Sequence, residues 1–290
     1  MARQRVGSPA LAFTLLAPSL FAVTVFLLLP MFVVGWLSLH RWDLLGPIHY
    51  VGLDNWRSVL DDGTFGNSLV VTALFVALVV PLQTVLGLAA ASMLARQLPG
   101  STFFRTVYVL PWICAPLAIA VLWRWLLAPT DGAVNTLLGR RVEWLTDPGL
   151  ALPVVSAVTV WTNVGYVTLF FLAGILAIPK RIHDAARMDG ATAAQRFWRI
   201  TLPMIRPTMF FVLVTGIISA AQVFDTVYAL TGGGPRNRTD LVAHRIYTEA
   251  FGAGAVGRAA VMALILFAIL VVATVVQHLY FRRRISYDLA

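Results

Sequence analysis

Six apolar stretches, each long enough to cross a bilayer, constrain this chain more than any other feature. They run from about residue 11 to 39, 65 to 94, 106 to 127, 150 to 178, 207 to 230 and 259 to 281. A bilayer core requires about 20 apolar residues per helix. Several stretches exceed that length, so tilt or extension beyond the bilayer is expected. No period-two alternation is present, which argues against a β-barrel. Only 12% of the residues are charged, against about 25% in soluble domains, which excludes an ordinary soluble enzyme. An apolar fraction of 59% also excludes disorder. The first stretch is longer than a signal peptide and contains Pro18 and Pro30 in one apolar run. It reads as a retained span.

The formal net charge is +9. In a soluble chain such a surplus would suggest nucleic acid; in a membrane protein it reports sidedness. The N-terminus, the 95–105 loop, the 179–206 loop and the C-terminal tail together hold thirteen basic residues and three acidic ones. The opposite loops hold eight basic and nine acidic residues, and Arg124 and Asp225 lie within spans. Basic loops stay inside, so both termini are expected in the cytoplasm. No nucleic-acid partner is expected; the lipid bilayer is. Trp36, Trp42, Trp123, Trp125 and Trp144 fall near outer span ends. They suit an interfacial belt, although packing between helices would also place them there.

Catalytic chemistry is missing from the pattern. Cys114 is the only cysteine, so no intramolecular disulfide can form. The five histidines are scattered without ligand spacing, and no metal site is expected. No nucleophile elbow occurs. The only lysine, Lys180, follows Ile178-Pro179, so the chain carries no Walker A phosphate cradle. The chain is therefore expected to bind no cofactor of its own. No repeat of 20–50 residues is visible.

The 179–206 loop is the most patterned polar segment. Pro179 ends the fourth span, and 181–188 can form a short helix. Asp184 is expected near the N-terminal end of that helix, where a carboxylate suits the macrodipole. Gly190 is a candidate left-handed stop after Asp189. Ala185, Ala186 and Ala191 leave room for another surface to approach closely. Phe197, Trp198, Ile200 and Leu202 supply apolar side chains, and Pro203 and Pro207 break the path back into the bilayer. A loop lying on anionic headgroups would explain the arginines alone. Docking of a partner would also explain the small residues and the turn.

The segment Asp184-Ala185-Ala186, Asp189-Gly190-Ala191, Gln195, Phe197, Ile200-x-Leu202-Pro203 resembles the EAA loop of ABC importer permeases, with Asp184 in place of the usual Glu. Gly52-Leu53-Asp54-Asn55-Trp56 resembles the segment before the second span of sugar-importer permeases. The run from Phe224 to Pro235 resembles the end of the penultimate span in the first, or A-type, permease of carbohydrate importers. Residues 34–45 and 222–247 are most similar to Usp-type A permeases of actinobacterial amino-sugar importers.

The resemblance implies a single all-α polytopic membrane domain over 1–290, of the type I ABC importer permease fold, with six transmembrane helices and no catalytic residues. It implies a second permease subunit, two ATPase subunits that bind ATP and Mg, an extracytoplasmic sugar-binding protein and a carbohydrate substrate, in the bacterial cytoplasmic membrane. ATPase coupling would fall to Asp184, Ala185, Ala186, Asp189, Gly190 and Ala191, with Phe197, Leu202 and Pro203 anchoring the loop. A substrate path requires polar groups inside the spans. Thr159, Asn163 and Tyr166 share one face of the fourth span; Ser219, Gln222, Asp225 and Thr226 are expected to share one face of the fifth. Tyr166 and Tyr228 would supply aromatic surface. Hydrogen bonding within and between helices is the alternative role for the Ser and Thr positions. The alternative function is an ion-coupled secondary sugar transporter, a class that often shows internal repeats and buried charge pairs.

Overall fold

The computed structural model describes residues 9–96 and 100–282. Terminal charges used in the sidedness argument, among them Arg3, Arg5, Arg283, Arg284 and Asp288, lie outside the described residues. Helix α1 (Pro9–Val23) joins α2 (Leu29–Leu37) through a π-helical turn at Thr24–Leu28. Strands β1 (His40–Arg41) and β2 (His49–Tyr50) pair antiparallel, His40 opposite Tyr50. Next come α3 (Asp54–Leu60), α4 (Gly63–Leu94), α5 (Ser101–Ile113), α6 (Pro116–Leu126), α7 (Ala133–Leu138) and α8 (Ala151–Leu176). The loop after α8 holds α9 (Lys180–Met188), α10 (Ala193–Arg196), a π-helical turn at Phe197–Thr201 and α11 (Leu202–Met204). The chain ends in α12 (Arg206–Ala221), α13 (Asp225–Leu230), α14 (Val242–Tyr247) and α15 (Val256–Arg282).

Four expected spans are single helices, over Phe13–Leu37, Gly63–Leu94, Ala151–Leu176 and Val256–Arg282. The other two are not. The third is broken between α5 and α6 by a bend of 95°. Cys114 and Ala115 are extended there, with ψ of 151° and 124°. Pro116 causes this: it has no N–H to donate and disfavours helix in the residue before it. The fifth expected span ends as helix at Ala221, breaks over residues 222–224 and resumes in α13. At its other end, the helical segment Ala193–Met204 meets α12 at 67°.

The chain forms two compact units. The first takes the chain up to Asp62 with Ile246–Ile265; the second takes Gly63–Arg245 and the chain from Leu266 onward. In the first unit, Asn55 is buried and donates its side-chain amide to the carbonyls of Ser38, at 3.0 Å, and His40, at 2.9 Å. Gly257 packs against the same His40 carbonyl, where no Cβ fits. Arg258 binds Glu249 at 2.6 Å, Asp62 at 2.7 Å and also Ser58. One guanidinium thus ties α3 and the turn after it to the start of α15. Asp43 accepts from the backbone N–H of Gly46 and Leu45, which holds its carboxyl below the usual carboxylate range. That contribution is present at neutral pH and is lost only as pH falls through the lowered value.

In the second unit, Val71, Phe75, Val79 and Val80 of α4 share a buried core with Val155 and Val158 of α8. A second cluster nearer the loop joins Ala91, Val167, Phe171, Ile178 and Ile205. Close approach depends on small residues. Gly165 of α8 lies directly on the Tyr108 carbonyl of α5, and Gly87 of α4 on Val167 of α8. At the opposite end, Ser68 donates to Asp240 at 3.1 Å, and Thr72 accepts from the Val242 N–H at 2.9 Å. These two bonds hold the 231–241 loop over the end of α4. Arg124 is exposed and donates to the Ala229 carbonyl at 3.4 Å.

A Gly165→Val substitution places a branched side chain where backbone already touches backbone. It is predicted to destabilise the second unit by about 1–3 kcal/mol, the usual cost of overpacking. A melting temperature in detergent equal to wild type would contradict that packing.

Candidate functional site

A cavity of about 390 Å³ opens where α4, α8, α12 and the break after α12 meet. Thr159, Asn163 and Tyr166 reach it from α8, as their spacing predicts. Ser219 reaches it from α12, Gln222 from the break, and Asp225 and Thr226 from the start of α13. These four were expected on one face of a continuous helix. The break brings them together instead: Gln222 caps α12 and Asp225 opens α13. A carboxylate in a first helical turn faces unsatisfied N–H groups, so Asp225 is placed more cheaply than mid-helix. Tyr228 is absent from this lining. It is exposed and stacks on Phe224, ring centroids 5.2 Å apart.

Not every polar group in the lining points its chemistry inward. Thr159 is 3% exposed and donates to the Val155 carbonyl at 2.9 Å. Asn163 donates to the Thr159 carbonyl at 2.9 Å. One wall is aromatic: Trp112 stacks on Tyr166 at 4.8 Å, and outside the lining Tyr166 meets Phe170 at 4.7 Å and Phe170 meets Phe211 at 4.9 Å. Among the described residues the lining contains one carboxylate, Asp225, and no Lys, Arg or His.

The second patterned feature is the loop helix α9. It starts one residue earlier than expected, at Lys180, so Asp184 lies in its second turn and not at its N-terminal end. There Asp184 pairs with Arg187 at 3.2 Å. The stop is as expected: Gly190 has φ of +75°, where L side chains are strained. The Ala191 N–H reaches the Ala186 carbonyl at 2.9 Å and the Gly190 N–H reaches Arg187 at 3.0 Å, the bond pair of a Schellman turn. Thr192 then opens α10. Its hydroxyl accepts from the Gln195 N–H at 3.2 Å, and its own N–H donates to Gln195 Oε1 at 2.8 Å. The Thr-x-x-Gln spacing is a capping box.

At 100° per residue, α9 has three faces. Ile182 and the buried Ala186 face the protein. Arg181, Ala185 and Met188 are exposed on the second, Met188 at 88%. Lys180, His183, Asp184 and Arg187 line a cleft on the third. Ala191 and Asp189 belong to the turn, Leu202 packs with Ile205, and Phe197 lines the cleft. Pro203 lies in α11, ahead of the bend at Ile205.

Comparison with known proteins decides the family. Residues 83–286 match the binding-protein-dependent transport system inner membrane component family. The chain belongs to this family. The permease is 33% identical over 282 residues, 96% of each chain, to the sn-glycerol-3-phosphate transport system permease protein UgpA of Agrobacterium fabrum. It is 34% identical over 292 residues to UgpA of Brucella abortus, covering 98% of this chain and all of that one. A chain of the crystal structure of a bacterial alginate ABC transporter, in complex with an alginate pentasaccharide-bound periplasmic protein, superposes with a TM-score of 0.84. That match covers 94% of each chain at 23% identity and carries the fold. The permease is thus a multi-pass inner-membrane subunit of an ABC importer, not an enzyme, with the type I fold that its loop motif implied.

Sequence reasoning missed several residues of the permease cavity: Gln83, Trp112, Thr162, Thr215 and Phe224. Gln83 had a legible signal, being the one amide side chain in the apolar part of α4, two residues after Pro81. Trp112 had none, because it reads as one more apolar residue of its span, and its stack on Tyr166 depends on how α5 packs on α8.

Space around Gly190 is open, so substitutions there test backbone conformation alone. Gly190→Val is predicted to loosen the turn by about 1–2 kcal/mol and speed tryptic cleavage between Lys180 and Arg199. Gly190→Asn, which tolerates left-handed backbone, is predicted to cleave at close to the wild-type rate. Equal rates for all three proteins would reject the turn as the restraint on this loop.

Proposed function

We propose that the permease moves a neutral or amino-bearing carbohydrate through the cavity by alternating access, with both termini in the cytoplasm. A second permease completes the path, two ATPases dock on α9, and an extracytoplasmic binding protein delivers substrate. The observation that carries the substrate reading is the lining: amides, hydroxyls, an aromatic wall, one carboxylate and no cation. Amides and hydroxyls exchange hydrogen bonds with sugar hydroxyls, and stacked rings accept the apolar face of a sugar ring. Asp225 suits a neutral polyol or a protonated amine and repels an anion. The named relatives handle sn-glycerol-3-phosphate and acidic alginate; the lining on this chain favours a different charge. Its likeness to amino-sugar permeases agrees with that chemistry.

The coupling reading rests on α9. A helix pinned on one face, closed by a rigid turn and exposing Arg181, Ala185 and Met188 on another transmits a push without bending. ATP binding in the partner would bias the permeases toward one of two states. Asp184, one methylene shorter than the usual Glu, faces Arg187 and the cleft.

In proteoliposomes holding the complete complex, uptake is expected only with ATP and binding protein. Uptake driven by an ion gradient alone would reject the ABC mechanism for this chain. Asp225→Asn is expected to lower glucosamine uptake roughly fivefold, the loss of about 1 kcal/mol, and to spare or improve entry of anionic substrates. Unaltered glucosamine uptake in this variant would remove Asp225 from the path. Gly190→Arg is expected to insert normally yet fail to retain the ATPase on purification.

A further inference from the structure

The loop borders a second, open cleft, of about 740 Å³, on the face of α9 turned away from Met188. Its polar wall holds Arg96 from the end of α4, Lys180, His183 and Arg187 from α9, and Arg196 from α10. Among the described residues Asp184 is the one acidic group in that lining, and it already pairs with Arg187 at 3.2 Å. Arg196 is fixed by donating to the Ala191 carbonyl at 2.6 Å. Four permanent cations therefore converge on a concave space with one carboxylate to offset them. The opposite wall is apolar, with Ile175, Leu176 and Ile178 from the end of α8.

We propose that this cleft binds a phosphate group and that the bound phosphate holds α9 against the ends of α4 and α8. Convergent cations repel one another and focus potential on an anion. Guanidinium forks match phosphate oxygens in pairs, and a lysine adds a point charge. The volume fits a headgroup or a small phosphate ester. Two sources share this chemistry. The cleft lies at the foot of the apolar helices α4 and α8, and basic pockets between spans bind such headgroups. A soluble sugar phosphate presents the same group from the aqueous side. Either one would replace repulsion beneath α9 with a bridge between α4, α9 and α10. The face carrying Arg181, Ala185 and Met188 is left free for the partner ATPase.

The test is native mass spectrometry of the purified permease–ATPase complex. The probes are phosphatidylglycerol and glucose 6-phosphate, with diacylglycerol and glucose as phosphate-free controls. Wild type is expected to bind at least one phosphate probe roughly tenfold more tightly than an Arg96→Gln/Lys180→Gln variant, and to bind the controls no better than the variant does. Preference for phosphatidylglycerol assigns the site to lipid; preference for glucose 6-phosphate assigns it to a soluble ester. In wild type alone, raising ammonium acetate about tenfold should weaken probe retention, so the proposal remains testable if the variant folds poorly. Charge-conserving Arg96→Lys/Lys180→Arg is expected to retain binding. Phosphate binding that is absent in wild type, or equal in wild type and the Gln variant, overturns the proposal. So does loss of the ATPase from the Gln variant with phosphate binding intact, which would give the cations to acidic side chains of the partner. None of these outcomes depends on which carbohydrate is carried.

Discussion

Backbone amides have no water to turn to inside a bilayer, so a span can break only where the protein satisfies the freed groups. The cavity of this permease follows from two such breaks. After α12 the chain stays hydrogen-bonded while it leaves the helix: Gln222 N–H reaches the Ile218 and Ser219 carbonyls, and Tyr228 N–H returns to Phe224. Between α5 and α6, Pro116 needs no acceptor, and the Cys114 N–H still reaches Leu110 at 3.3 Å. The 390 Å³ cavity lies beside both breaks. Polar side chains from four elements are thereby gathered around one hollow.

The four unbroken spans were legible because apolar length is a strong signal that packing does not override. The breaks were legible only in part. Pro116 sits in an otherwise ordinary run of apolar residues, and Pro81 sits in a similar run within α4, where the helix continues. Proline alone therefore does not say which helix bends. The break after Ala221 has no proline or glycine at all. Its trace is polar crowding, Gln222 and Asp225 in a span, which reads equally well as a polar helical face.

The loop was more legible than the path because short-range rules govern it. Gly190 and the Thr192–Gln195 box are stated in the sequence a few residues from where they act. Asn55 is intermediate. Its motif Gly52-Leu53-Asp54-Asn55-Trp56 was recognisable, but its reason needed coordinates: the amide clamps the two carbonyls that enter the β1–β2 hairpin. The cationic cleft joins Arg96 to residues more than eighty positions later, and no local pattern announces that meeting.

The contact of Gly165 with Tyr108 has a mechanical side. Two helices touching backbone to backbone lack the knobs that lock most helix pairs in register. Such a seam resists being pulled apart, because every atom is in close contact, but little opposes displacement along its length. Domain motions by shear use sliding of packed helices. The seam between α5 and α8 runs beside Trp112 and Tyr166, so a small slip there would carry the two stacked rings past each other.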